Sequence, residues 1–182
     1  MSRIILPGQP LRDGHTALRP WRDADSSRLT EICQDPEIVR WTPVPAGYTE
    51  AQARVLLLRT LDAVNDGTTA PFAIVASHDP DHQLLGSISL NRISRDQRRA
   101  EVGYFLAGPA RGQGHATRAV GLICRWGFDS LGLERIGLLV APANLASRRV
   151  AERAGFASEA TLRAYQCCGE DPQDMIAFGL LG

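Results

Sequence analysis

The chain has 182 residues, enough for one domain with a full hydrophobic core. Lys plus Arg and Asp plus Glu each total 20, so the formal net charge is zero, which argues against a nucleic-acid binder and its usual basic excess. Ile4-Ile5-Leu6 is too short for a secretory signal, and no segment nears the roughly 18 uninterrupted apolar residues of a membrane span. Cys33, Cys124, Cys167 and Cys168 form no C-x-x-C pair, and neither they nor the histidines show metal-site spacing. The expectation is a cytoplasmic protein with reduced thiols and no metal.

In chain order, Thr16–Arg19 reads as a strand closed by Pro20. Asp23 is placed as N-cap for a helix from Ala24 to about Cys33, and Asp35-Pro36-Glu37 starts a second, short helix with proline at its favoured first position. After the irregular stretch Pro43–Gly47, Thr49-x-x-Gln52 reads as a capping box. The stripe Ala53, Leu57, Leu61 and Val64 carries that helix to Gly67. Phe72–Ala76 is apolar throughout, as a strand covered on both faces would be. A turn at His78–His82 follows, then Leu84, Gly86, Ile88 and Leu90 alternate with Leu85, Ser87, Ser89 and Asn91, the period of a strand with one polar face.

Ala100–Leu106 is the next strand. A glycine-containing loop, Arg111-Gly112-Gln113-Gly114-His115-Ala116-Thr117, leads into a helix with Ala116, Val120, Ile123, Gly127 and Leu131 on one side and Gly132 at its end. Ile136–Val140 is a strand, and Asn144 begins a helix through Ala154 that stops at Gly155. Two closing strands are expected at about Ala157–Arg163 and Asp174–Leu181. This order describes one α/β domain with a mixed sheet.

The loop decides the chemistry. A segment so poor in side chains can turn consecutive N–H groups toward one point, and the positive end of the following helix adds to their field. The loop has no lysine, as a Walker sequence requires, and Thr117 stands where a dinucleotide fingerprint needs a third small residue. What remains is Arg111-x-x-Gly114-x-Ala116.

With Gly103-Tyr104-Phe105-Leu106 before it, and Asn144-x-x-Ser147-Arg148-Arg149-Val150 and Gly155-Phe156 after it, the chain resembles the GNAT superfamily of acetyl-CoA-dependent N-acetyltransferases. Leu18-Arg19-Pro20-Trp21, Asp35-Pro36-Glu37 and Gln173-Asp174-Met175 resemble its RimJ/RimL-type branch, named for N-terminal acetylation of ribosomal proteins. The likeness runs over residues 11–181. It implies an α/β single-domain fold, a strongly twisted mixed sheet of about seven strands with flanking helices. The fourth and fifth strands, Ala100–Leu106 and Arg135–Ala141, would splay into a V that takes the pantetheine arm of coenzyme A.

The resemblance assigns the pyrophosphate to Arg111, Gly112, Gln113, Gly114, His115, Ala116 and Thr117, mainly through main-chain N–H groups, with His115 facing solvent. The Thr117 hydroxyl either joins a phosphate or bonds the preceding turn of its own helix. Glu101 is the candidate base, able to take the amine proton through water, or else a solvated glutamate paired with Arg98 or Arg99. Asn144 caps its helix and would also bind a pantetheine amide or the peptide substrate. Ser147, beside the cofactor sulfur, is the candidate acid, with Tyr104 and Tyr165 as the alternatives. N–H groups around Phe105 and Leu106 are candidates for polarising the thioester carbonyl. The acceptor is an amine, either a protein N-terminus or a small molecule. A CoA-binding module without turnover is the third reading, and a homodimer is the family's expectation.

Overall fold

The computed structural model describes residues 3–79, 83–167 and 172–182. Residues 80–82 of the expected His78–His82 turn, and residues 168–171 with Cys168 and Glu170, lie outside them. Eight strands are present: β1 (Leu11–Arg12), β2 (Thr16–Arg19), β3 (Ala70–Ala76), β4 (Leu84–Ser94), β5 (Arg99–Leu106), β6 (Arg135–Val140), β7 (Ala157–Cys167) and β8 (Pro172–Leu181). They form one sheet in the order β1-β2-β3-β4-β5-β6-β8-β7, antiparallel except where β5 meets β6. The seven expected strands are all there. The additional β1 is too short to show any period.

The helices are α1 (Asp25–Ile32), α2 (Pro36–Trp41), α3 (Glu50–Asp66), α4 (His115–Leu131) and α5 (Leu145–Arg153). Asp35 caps α2, and Thr49 with Gln52 forms the expected capping box of α3, whose end is Gly67 at φ +76°. The start of α1 differs from expectation. Its N-cap is Ala24, with no side-chain cap, and Asp23 does not serve. Asp25 is drawn instead into a buried ion pair with Arg19 at 2.7 Å, and it also accepts the N–H of Arg22 at 2.8 Å. Satisfying a buried guanidinium outweighs one exposed cap.

α4 lies on one face of the sheet and supplies Ala119, Val120, Ile123 and Trp126 to the main core, with Phe72, Ile88, Leu90 and Val102 opposite. Trp126 meets Phe72 edge-on at 5.4 Å. α1 and α2 pack against the other face through Leu29, Ile32 and Ile38, beside Ala73 and, partly buried, Phe105. Along β4 the expected alternation holds from Leu84 to Leu90. These two layers fix β5 from both sides and leave its β6 edge to be settled by pairing.

Candidate active site

β5 and β6 pair over only three rungs, Arg99 with Arg135, Ala100 with Ile136 and Glu101 with Gly137. Beyond Glu101, β5 stays on β4 as far as Leu106, and β6 stays on β8 as far as Val140. The expected V between these strands is therefore present. Ala107 donates its N–H to the Leu85 carbonyl at 2.9 Å. Antiparallel alternation then turns the backbone of Phe105 toward β4 and that of Val102, Tyr104 and Leu106 toward the gap. Of the two expected carbonyl-polarising residues, only Leu106 presents its N–H to the V. Its own carbonyl is occupied by Arg111, whose Nε and Nη2 donate to it at 3.1 and 2.9 Å. An edge of unpaired backbone groups between two covered faces suits a ligand that hydrogen-bonds as a strand does.

At the mouth of the V, a 3-10 turn (Gly108–Ala110) leads to the glycine loop and α4. Gly112 and Gly114 have φ of +76° and +81°, the left-handed region that glycine adopts without steric cost. Gly114 is the N-cap of α4, with no side-chain cap and no acidic residue in the first turn. Among the described residues, the N–H groups of Gly112, Gln113, Gly114, His115, Ala116 and Thr117 have no acceptor, and Arg118 is the first to donate, to Gly114 at 3.1 Å. The side chains of Gln113 and Arg111 are turned away from these donors, while Arg118 folds back over the loop and donates from Nη1 to the Gln113 carbonyl at 2.9 Å. Gln113 donates to the Pro109 carbonyl at 2.7 Å, and Arg111 reaches Asp35 at 2.7 Å. Such a cradle of free amides at a helix start fits a diphosphate.

His115 departs from its expected place in solvent. It is buried, with Nδ1 2.9 Å from the Oγ1 of Thr16, so it ties the start of α4 to β2. Burial, and secondarily Arg118, push its pKa below the usual 6.5. The long-range contact with Thr16 has no sequence signal.

The candidate reacting side chains divide between the two sheet faces, with Tyr165 exposed on the Glu101 face. Tyr104 packs with the α4 core, and its hydroxyl lies 2.8 Å from Ser147 Oγ. Burial pushes the phenol up to about 12, partly offset by Ser147. Ser147 stands at the start of α5, where its N–H donates to Asn144 Oδ1 at 3.0 Å. The cap expected of Asn144 is thus present. Glu101 is of odd register on β5 and faces the other side. Its two oxygens accept from Arg92 Nη1, each at 3.1 Å, in place of the expected Arg98 or Arg99. Arg98 pairs with Glu134 instead. The partner was hidden because a bulge between Asn91 and Ser94 re-aims Arg92.

Comparison with known proteins agrees with this geometry. A family model described as an acetyltransferase (GNAT) domain matches residues 15–157. An uncharacterized N-acetyltransferase, p20 of Bacillus licheniformis, is 29% identical over 164 residues, 90% of this chain and 91% of its own. The structure of Mycobacterium smegmatis RimJ in complex with CoA-disulfide superposes with a TM-score of 0.86 at 23% identity, over 96% of this chain and 86% of that one. RimL, a ribosomal-protein α-N-acetyltransferase in complex with coenzyme A, gives 0.84 at 17% identity over 95% and 98%.

Proposed function

Because the chain belongs to the GNAT acetyltransferase family, and so is an N-acetyltransferase that uses acetyl-CoA, we propose that its acceptor is the α-amine of a protein or peptide N-terminus. The likeness to RimJ and RimL supports that acceptor over a small amine. The observation that carries the reading is the V itself, with free amides at its mouth and candidate reacting groups on both faces.

In this reading, the amides of Gly112–Thr117 hold the diphosphate of CoA, and the β5 edge at Tyr104 and Leu106 aligns its arm. Bound acetyl-CoA supplies an activated acetyl thioester. The Leu106 N–H faces the gap and is placed to stabilise the carbonyl oxygen as it gains negative charge. The amine enters from the Glu101 face. A carboxylate has about four acceptor sites, so Glu101 can hold Arg92 and still take a proton through water. An N-terminal amine, with an ordinary pKa near 7.7 to 8.0, needs little such help. On the opposite face Tyr104, protonated at neutral pH and 2.8 Å from Ser147 Oγ, can act as donor to it, which leaves the Ser147 proton for the departing sulfur. Base and acid thus act from opposite sides of one strand, and holding both reactants between them contributes much of the rate.

Release of free thiol from acetyl-CoA, measured against peptides and small amines, tests the acceptor. Turnover on peptides that stops when the N-terminus is blocked is expected. Turnover on small amines alone would contradict it.

A further inference from the structure

On the Glu101 face, a cavity of about 650 Å³ extends from the last paired rung of the V, Glu101 opposite Gly137, out over β4 and β7. Its polar lining includes Arg92, Arg99, Arg135, Glu101, Gln97 and Tyr165. Two irregular strands shape it. β4 bulges with Arg92 at φ +51°, and β7 shifts register between Leu162 and Gln166 with Ala164 at φ +46°. Both are non-glycine residues in the left-handed region. Such strain persists where the surrounding structure enforces it, and bulges of this kind re-aim side chains beside reaction sites.

The charges in this cavity do not balance. Arg92 is matched by Glu101, and Arg135 by Glu159. The side chain of Arg99 has no hydrogen bond or ion pair among the described residues, although Arg99 is in direct register with Arg135. One guanidinium is therefore left for a ligand, and Arg92 already cancels the carboxylate that would repel an anion. The chain contains no lysine, so all 20 of its Lys-plus-Arg cations are arginines, the side chain suited to bidentate contact with a carboxylate. Arg99 and Glu101 share a strand face two residues apart, roughly 6.6 Å between Cα atoms at about 3.3 Å per residue. Consecutive Cα atoms of a peptide are about 3.8 Å apart, so an acidic side chain on its first or second residue spans that distance.

We propose that the acceptor carries a carboxylate close to its amine, held by Arg99 while the amine sits at Glu101. The proposal deepens the N-terminal reading and rests on it for the peptide form of the ligand. A polyamine would meet the wrong sign of charge here.

Calorimetric titration of CoA-saturated protein with the C-terminally amidated peptides Ala-Glu-Ala-Ala and Ala-Gln-Ala-Ala tests it without needing turnover. The Glu peptide is expected to bind at least tenfold tighter. Arg99→Gln should shrink that ratio below threefold, whereas Arg95→Gln, which removes an exposed charge outside the cavity, should preserve it. Free glutamate binding as tightly as the Glu peptide would support the carboxylate site and assign it to a small amino acid, which would count against the peptide acceptor alone. Equal affinities for the two peptides, tighter binding of spermidine, or a ratio untouched by Arg99→Gln would overturn the proposal.

Discussion

Ser147 and Gly114 separate chemistry from binding at the scale of single residues. Ser147 Oγ meets the Tyr104 hydroxyl at 2.8 Å and is the proposed donor to the leaving sulfur. Ser147→Ala should lower kcat by roughly tenfold or more while CoA affinity changes little; unchanged kcat in steady-state assays would remove the proposed role. Gly114 sits at φ +81°, and a Cβ there would come within 2.4 Å of Arg118 Nη1. Gly114→Asp combines backbone strain with a negative charge at the helix start, so CoA affinity should fall roughly a hundredfold by calorimetry. A carboxylate tolerated there would contradict the loop assignment. For Glu101 the residue type was readable in sequence. Its partner Arg92 was not, because a bulge alters cross-strand register without changing composition.

Elements carry the next set of expectations. α4 is docked to β2 through His115 and Thr16, and the burial of that histidine makes stability sensitive to pH. His115 binds its proton less readily in the fold than in the unfolded chain, chiefly through burial. As pH falls below about 6.5, the unfolded chain takes up the proton first, so stability is lost progressively toward the lower folded value. Urea unfolding should show a larger loss between pH 7.5 and 5.5 in the native protein than in His115→Gln; equal losses would contradict the account. β4 and β5 are also in unusually close contact, since a Cβ on Gly86 would lie 2.2 Å from the Phe105 carbonyl oxygen. Gly86→Ala should cost about 1–3 kcal/mol in denaturant unfolding, and no loss would mean that the strands separate freely. The caps of α2 and α3 and the alternation of β4 were legible because each depends on residues a few places apart. The start of α1 was not, because the buried Arg19–Asp25 pair competes with local capping.

Across the whole molecule, the site exists because β5 leaves β6 after Glu101 while remaining fixed to β4. Periodicity marked both strands, but it carries no information about where two parallel strands part. That expectation came from family resemblance and is met by the register. The division of Glu101 from Tyr104 and Ser147 between two faces follows from odd and even positions on one strand, yet it becomes informative only once α4, α5 and the arginine-lined cavity are in place. The central claim is that the free amides of Gly112–Thr117 and the unpaired edge at Tyr104 and Leu106 are where CoA binds. A titration of ¹⁵N-labelled protein with coenzyme A reads those amides directly. The largest shifts are predicted at Gly112–Thr117, Tyr104 and Leu106. Saturable binding that left those signals in place and moved amides elsewhere would contradict the account.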